Sequence, residues 1–514
     1  MLISTRMKVF KSVIAALVVA GVGLAAAPIA VAAPEDGGTL RISFPGSPRL
    51  IDPAITGSLE EWVVTSWLYN NLTRMNEKSE VEPDLAESWE VADEGKTWTF
   101  KLRQGVKFQS GKEMTADDVV FSIQRILDPE VKSRGRGAIG PITEVAKVDD
   151  YTVRFKLERP IAEFPANMTL PYARIINKDT TVNLNTESDG TGPFILKEYV
   201  VGDRVVVTRN PNYFRQGEPH VDEVRVQVYP DATAEINALK AGQTDIMWQV
   251  RPDQVQLLEG DKSIRVEEIP SGSFVSIVMR SDQPPFDDVR VRKALKLSID
   301  RNVIVQAALR GHGTVANDQS LPPNSPAFDA SVKPAQRDIK AAKALLSEAG
   351  YPNGLKVTLY TSDARVGMLP TALMTQQMAK EAGFDIELQT VTWDVFLNQI
   401  WEKKNFYINN WFARPTTDTR ITPFFLTRDK GGSLNDYYYS NPELDKVLLQ
   451  AQAELDDAKR RNLYHQAQRM VSEDGPAIIA FFKNNISAHR ANVQGFSVDP
   501  GINLSAEKVW LKRD

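Results

Sequence analysis

Short segments with alternating hydrophobic and polar residues occur repeatedly in the first half of the chain. A period of two places one face of a segment in the core and the other in solvent, which predicts half-buried β-strands. The alternation is found at 40–44, 98–102, 151–157 and 224–228. These four segments are therefore predicted to be strands.

Helix signals lie between and after these strands. Thr115 and Asp118 have the spacing of a capping box ahead of apolar residues that recur with helical spacing. Asp338 can cap another helix, which Gly350 would end. Farther on, 357–360, 371–382 and 384–391 have the pattern strand, helix, strand. The whole pattern predicts a mixed α/β protein.

The length of the chain indicates how many hydrophobic cores it forms, and the composition indicates that it folds. A chain of 514 residues is too long for one hydrophobic core, so two or three lobes are expected. With 42% hydrophobic and 25% charged residues, the composition is that of a folded globular protein. No internal repeat or low-complexity linker marks a boundary between the lobes.

The first 33 residues have the layout of a secretory signal peptide. A basic start is followed by 15 apolar residues at 13–27 and by small residues ending at Ala32. The alternative is a membrane anchor, but a span needs about 20 apolar residues. We expect cleavage between Ala32 and Ala33, whether translation begins at Met1 or Met7.

The chain contains no cysteine, so we expect neither disulfides nor a lipid anchor on cysteine. The full chain carries a net charge of −5. Without the three basic residues of the leader, 58 basic and 66 acidic residues remain, a net charge of −8. This excess of acid argues against nucleic acid as a partner and favours solubility. An exported chain without a lipid anchor suits the periplasm.

Motifs that resemble catalytic or cofactor sites lack the necessary context. Residues 135–140 match GxGxxG, but no strand precedes them and Pro141 follows where a helix should begin. The four histidines are far apart, which argues against a metal site. Asp418 and Asp436 could pair as carboxylates, although surface charge explains them more simply. We therefore expect no enzyme activity and no cofactor.

Seven motifs in a fixed order carry a resemblance to a known family. From about Gly38 onward the chain resembles the peptide/nickel family of periplasmic solute-binding proteins, which includes the oligopeptide- and dipeptide-binding proteins. The motifs are PDLAESW at 83–89, TWTFKLRQGVKF at 97–108, TADDVVFS at 115–122, GTGPF at 190–194, RNPNYF at 209–214, LKAGQTDI at 239–246 and PFDDVRVRKAL at 285–295.

The resemblance implies a two-lobed α/β fold with an extra domain inserted in the first lobe and a ligand in the cleft between the lobes. The implied boundaries are 34–72, 191–279 and 483–514 for lobe I, 73–190 for the inserted domain and 280–482 for lobe II. Closure about a hinge would bury the ligand. The implied partners are an inner-membrane ABC permease and its ATPase, and the protein is expected to be a monomer.

The resemblance also implies aromatic residues in the cleft. By spacing, Trp393 and Trp411 correspond to two tryptophans that the family's second lobe supplies, although both could be ordinary core residues. Phe274 corresponds to a cleft-lining tyrosine of the family, and it lacks the hydroxyl.

One difference from the family concerns charge. Peptide binders of the family have an aspartate three residues after the second tryptophan, where it pairs with the peptide's α-ammonium. Here that position is Arg414, which suits a carboxylate or phosphate. A shifted loop would instead let Asp418 bind the amine. The basic loop at 132–137, with Arg136 as its candidate ligand-binding residue, agrees with an anion, although it could simply be solvated.

The resulting expectation is a periplasmic importer component that captures a peptide or peptide-like solute, including an acidic or N-blocked one. The alternatives are a carrier of a non-peptide anionic solute, or a haem or metal carrier, on the same fold. A hydrolase would need a nucleophile and a base, and the sequence shows no such combination.

Overall fold

The structure, a computed structural model, describes residues 33–76, 79–498, 501 and 503–513. The predicted signal peptide at 1–32, up to the cleavage site after Ala32, lies outside these residues. The strands are β1 (Thr39–Phe44), β2 (Thr73–Met75), β3 (Val81–Pro83), β4 (Ala86–Ala92), β5 (Thr97–Leu102), β6 (Ile142–Asp149), β7 (Thr152–Leu157), β8 (Phe194–Val200), β9 (Arg204–Arg209), β10 (Glu223–Val228), β11 (Ile246–Met247), β12 (Ile264–Met279), β13 (Gly313–Val315), β14 (Leu355–Thr361), β15 (Phe384–Thr390), β16 (Phe406–Trp411), β17 (Ala477–Arg490), β18 (Val493–Gln494) and β19 (Trp510–Leu511).

The helices lie mainly in the second half of the chain. They are α1 (Leu59–Leu68), α2 (Ala116–Leu127), α3 (Phe164–Asn167), α4 (Ala232–Lys240), α5 (Val255–Leu258), α6 (Val289–Ser298), α7 (Arg301–Leu309), α8 (Ile339–Glu348), α9 (Met368–Lys380), α10 (Trp393–Val395), α11 (Thr417–Phe425), α12 (Pro442–Ala453) and α13 (Asp457–Asp474). A π-helical turn, Phe396–Ile400, follows α10 directly. Among the described residues, no helix is both long and apolar enough to cross a membrane.

One large sheet runs through the molecule in the order β15-β14-β16-β12-β17-β11-β1-β10-β9-β8, with β13 added beside β17. The long strands β12 and β17 are antiparallel and belong to both halves of this sheet. Their register shifts between Pro270 and Ser273. The shift marks the place where the chain passes from one half to the other.

The hydrophobic core falls into separate clusters, and the names of the lobes used below refer to them. Lobe I is built on β1, β8–β11 and α1, with Phe44 and Trp67 in its core. The inserted domain has its own antiparallel sheet β4-β5-β7-β6, packed around Phe100 and Phe155. Lobe II has the largest cluster, which extends from Phe274 to Phe482. The exact domain boundaries stay a prediction.

The local sequence signals are confirmed in these elements. Thr115 and Asp118 form the capping box of α2, and Asp338 caps α8. The predicted strand–helix–strand unit is β14-α9-β15, in which the two strands are parallel neighbours. Residues 135–140 form a loop before β6, without the strand and helix that a dinucleotide site needs.

Candidate functional site

A cavity of about 320 Å³ lies between lobe I and lobe II. The start of α1 and the loops at 229–232 and 249–254 line it from lobe I. Arg365, Val366, Phe412 and Lys483 line it from lobe II and the crossing strand β17. A second cavity of about 150 Å³ shares Val366, Phe412 and Lys483. Together they form what we call the inter-lobe cleft.

Two larger cavities, each of about 510 Å³, lie elsewhere. One separates lobe I from the inserted domain and contains the ion pair of Arg215 with the buried Asp84. The other separates the inserted domain from lobe II, where Glu163 accepts a hydrogen bond from the Asp418 backbone N–H. Because these charged groups already have partners within the protein, the inter-lobe cleft is the better candidate site.

Arg365 is held by aromatic rings at the cleft. Its guanidinium carbon lies 5.0 Å from the centroid of the Trp393 ring and 5.9 Å from that of Phe412. Trp393 in turn stacks on Phe396, at a ring distance of 5.1 Å. Burial lowers the pKa of Arg365, and Glu60 opposes this effect. Trp393 thus supports a cation that lines the cleft.

Arg414 lies in a corner between lobe II and the inserted domain, beside Tyr172. Its guanidinium carbon lies 5.7 Å from the centroid of the Phe424 ring, and its Nε is buried without a hydrogen-bond partner. Burial lowers its pKa, and the only opposing influence is Tyr172. No hydrogen bond or ion pair from its side chain is formed with the part of the chain that the structure describes. Such a buried cation requires compensation, which an anionic ligand would supply.

Two more donors near this corner lack acceptors. The indole Nε1 of Trp411 and that of Trp62 are buried without a hydrogen-bond partner. Trp62 packs edge-on against Tyr172 at a ring distance of 5.9 Å. Buried donors in folded proteins are normally satisfied, so orphan donors beside an unpaired arginine indicate a place for acceptors.

Trp411 and Phe274 pack behind Arg414 and do not line the cleft. Trp411 pairs with Phe274 across β16 and β12, and both rings contact Phe424 edge-on. Phe274 was expected at the cleft surface, but it is only 2% exposed and lies in the core. Phe412, which directly follows β16, lines both cavities of the cleft, one position beyond the residue chosen by spacing. The other aromatic residues that line the cleft are Tyr229, Trp248 and Phe496.

Asp418 is occupied inside lobe II. Its Oδ1 accepts hydrogen bonds from Thr422 Oγ1 at 2.6 Å and Tyr464 Oη at 3.2 Å, and its Oδ2 accepts one from Gln452 Nε2 at 2.8 Å. The residue is 6% exposed and lies in the first turn of α11. This arrangement does not favour Asp418 as the partner of a ligand amine, because both oxygens are already bound.

The basic loop contributes a different arginine from the one expected. Arg136 is exposed, without a described side-chain contact. Arg134 instead packs directly on Gly57, where an added Cβ would collide with its guanidinium. Burial raises the pKa of Tyr172, and the positive charges of Arg414 and Arg134 oppose this rise. The loop therefore reaches the corner through Arg134, two residues before the predicted position.

The candidate carboxylate pair is not assembled. Asp436 accepts hydrogen bonds from Trp401 Nε1 and Asn409 Nδ2 in the lobe II core, and burial raises its pKa to about 7. Asp418 bonds to a separate set of residues on α11–α13. Within the described ranges, no group of three or more His, Asp or Glu residues could hold a metal ion.

The sequence profile of "Bacterial extracellular solute-binding proteins, family 5 Middle" matches residues 80–433, more than half of the chain. The chain belongs to family 5 of the bacterial extracellular solute-binding proteins. The dipeptide-binding protein of Escherichia coli K12 is similar to it, with 30% identity over 521 residues that cover 93% of this chain and 95% of that protein. Family 5 proteins bind solutes, which agrees with the cavities between the lobes and with the unpaired donors at the neighbouring corner.

Solved structures similar to this chain share the two-lobed fold. The oligopeptide-binding protein AppA of Bacillus subtilis, in complex with a nonapeptide, has a TM-score of 0.79 and 28% identity, covering 94% of this chain and 100% of that one. The protein MoaA of A. tumefaciens R10, in complex with mannopinic acid, has a TM-score of 0.78 and 27% identity, covering 93% and 100%. The chain thus has the two-lobed fold of the periplasmic binding proteins, as the sequence predicts.

Proposed function

We propose that this protein captures a peptide or peptide-like solute that carries an anionic group, and delivers it to an inner-membrane ABC permease and its ATPase. The protein would act in the periplasm as a monomer, without catalysing a reaction. Membership of family 5 and the relatives that bind peptides support the transport role. The proposal of an anionic group rests on Arg414, whose guanidinium is mostly buried and has no partner in the described chain.

The chemistry of the corner supports an anion over an ammonium. The positive charges of Arg134 and Arg414 both oppose the rise that burial causes in the pKa of Tyr172 at this corner. Glu61, a carboxylate that also acts on Tyr172, already accepts backbone N–H groups of Arg49, Gly57 and Ser58. A positively charged α-amine at this corner would therefore meet two guanidinium groups and a Glu61 carboxylate that is already hydrogen-bonded, whereas a carboxylate or an N-acyl carbonyl would meet donors.

A second candidate is the capture of a non-peptide anionic solute. The relative in complex with mannopinic acid favours it, because that ligand is an acid and not a peptide. The two candidates differ only in the scaffold that carries the anionic group, so a panel containing both kinds of solute separates them.

We expect an N-acetylated acidic dipeptide to raise the melting temperature of the exported protein without being altered. A solute at 100 times its Kd stabilises the folded state by about 2.7 kcal/mol. Differential scanning fluorimetry measures the shift, and mass spectrometry of the recovered solute measures turnover. The free-amine dipeptide without acidic side chains serves as the matched comparison. A product peak, or a larger shift with the free-amine peptide, would contradict the proposal.

A further inference from the structure

Lys483 is a cation in the inter-lobe cleft that has no acidic partner among the described residues. It lies on β17 at the register shift, opposite Ser273 on β12 and Gly313 on β13. Its side chain lines both cavities of the cleft. Its ammonium donates to the Asn410 amide oxygen and makes no ion pair with any described residue. The crossing strand therefore presents a partly buried ammonium to the cleft.

The other charged groups of the cleft leave this ammonium uncompensated. Arg365 adds a second positive charge nearby, and Arg251 is paired with Asp253. The carboxylate of Glu235 accepts a hydrogen bond from Ser43, and burial raises its pKa to about 7. Glu60, Glu235 and Tyr229 also line the larger cavity, and His312, which pairs with Glu268, lines the smaller one.

We infer that Lys483, together with Arg365, forms a second anion subsite, so that the captured solute carries two anionic groups. Arg414 binds one of them and Lys483 the other. Lys483 donates a hydrogen bond to Asn410, which lies four residues before Arg414. The backbone positions of Asn410 and Arg414 are therefore at most about 14 Å apart. This upper limit accommodates a solute of dipeptide size with two carboxylates. The inference rests on the proposed function and extends it to the class of solute.

The protonation state of Lys483 allows the subsite to be tested in the wild-type protein, without a substitution. Burial, and secondarily the nearby Arg365, lowers the pKa of Lys483 to about 7 in the ligand-free protein. Above pH 7 the ammonium is then largely deprotonated, and an anionic group bound beside it raises its pKa again. Binding of a diacid at pH 8 should therefore take up close to one proton, and the affinity should fall as the pH rises above about 7.

The test is isothermal titration calorimetry with two probes, N-acetyl-Ala-Glu and N-acetyl-Ala-Gln, which differ by one carboxylate. The wild-type protein should bind the Glu probe about tenfold or more tightly than the Gln probe, because a hydrogen-bonded charge pair contributes at that level. Lys483→Met should abolish this preference, whereas Lys340→Met, which removes an exposed lysine on α8, should retain it. Titrations in Tris and phosphate buffers at pH 8 measure the proton uptake.

Glu235 could also take up a proton at this pH, and Glu235→Gln separates the two groups. The uptake should persist in Glu235→Gln and disappear in Lys483→Met. Equal affinity of the wild-type protein for both probes, without proton uptake, would overturn the inference and leave the proposed function intact. Absence of binding of both probes would contradict the proposed function, and the inference with it.

Discussion

Replacing Arg414 with alanine is expected to weaken the binding of N-acetylated acidic dipeptides by about ten- to a hundredfold. The guanidinium is mostly buried beside Phe424 and Tyr172, and its Nε has no partner within the described protein. A hydrogen bond to a charged group contributes about 1.5–3 kcal/mol, and each 1.4 kcal/mol is tenfold in affinity. Calorimetry with the acetylated and free-amine peptides measures the loss.

Two further variants make this test specific. Arg414→Lys should restore only part of the affinity, because a point charge does not reproduce the planar fork of the guanidinium. Arg265→Ala, which removes an exposed arginine on β12, should leave the affinity unchanged. If the wild-type protein preferred uncharged free-amine dipeptides and Arg414→Ala bound them equally well, Arg414 would have no role in solute recognition.

Asp418→Ala is expected to lower the free energy of unfolding by about 2–4 kcal/mol with little change in solute affinity. The substitution removes the acceptor of three hydrogen bonds and leaves the donors on Thr422, Gln452 and Tyr464 unsatisfied inside lobe II. Each buried donor without a partner costs about 1–3 kcal/mol, and relief of the repulsion between Asp418 and Glu163 offsets part of the loss. Chemical denaturation measures the change in stability.

Asp385→Ala is the matched control for this prediction. Asp385 is an exposed aspartate on β15 of the same lobe, so its removal should change the stability by less than about 0.5 kcal/mol. A normal stability of Asp418→Ala, combined with a large loss of affinity for free-amine peptides, would contradict the structural role. It would restore Asp418 as the residue that binds the amine.

The local elements could be predicted because their signals lie within a few residues. The capping box of Thr115 and Asp118 and the parallel unit β14-α9-β15 depend on short-range patterns, and both formed as predicted. The two-lobed fold followed from seven ordered motifs, not from periodicity. The exchange of chain between the lobes through β12 and β17 depends on pairing over about 200 residues, which no local pattern specifies.

The site was harder to predict because it depends on which face of a strand a residue occupies. Spacing to the family selected Trp411, but it is the neighbouring Phe412 that lines the cleft. Arg134 and Arg136 are both exposed, and it is Arg134 that packs on Gly57, which follows from loop geometry. Lys483 gave no signal at all, since a single lysine in an apolar strand shows neither its burial nor the absence of a carboxylate.

The central claim is that an anionic group of the captured solute binds Arg414 at the corner between lobe II and the inserted domain. A crystal structure of the protein with the solute that it retains on purification from the periplasm tests this most directly. We predict electron density for a solute that extends from the inter-lobe cleft to the corner beside Tyr172, with a carboxylate or another anionic oxygen within about 2.7–2.9 Å of a guanidinium nitrogen of Arg414. A solute whose primary ammonium faces this corner, or one bound outside the cleft, would contradict the account.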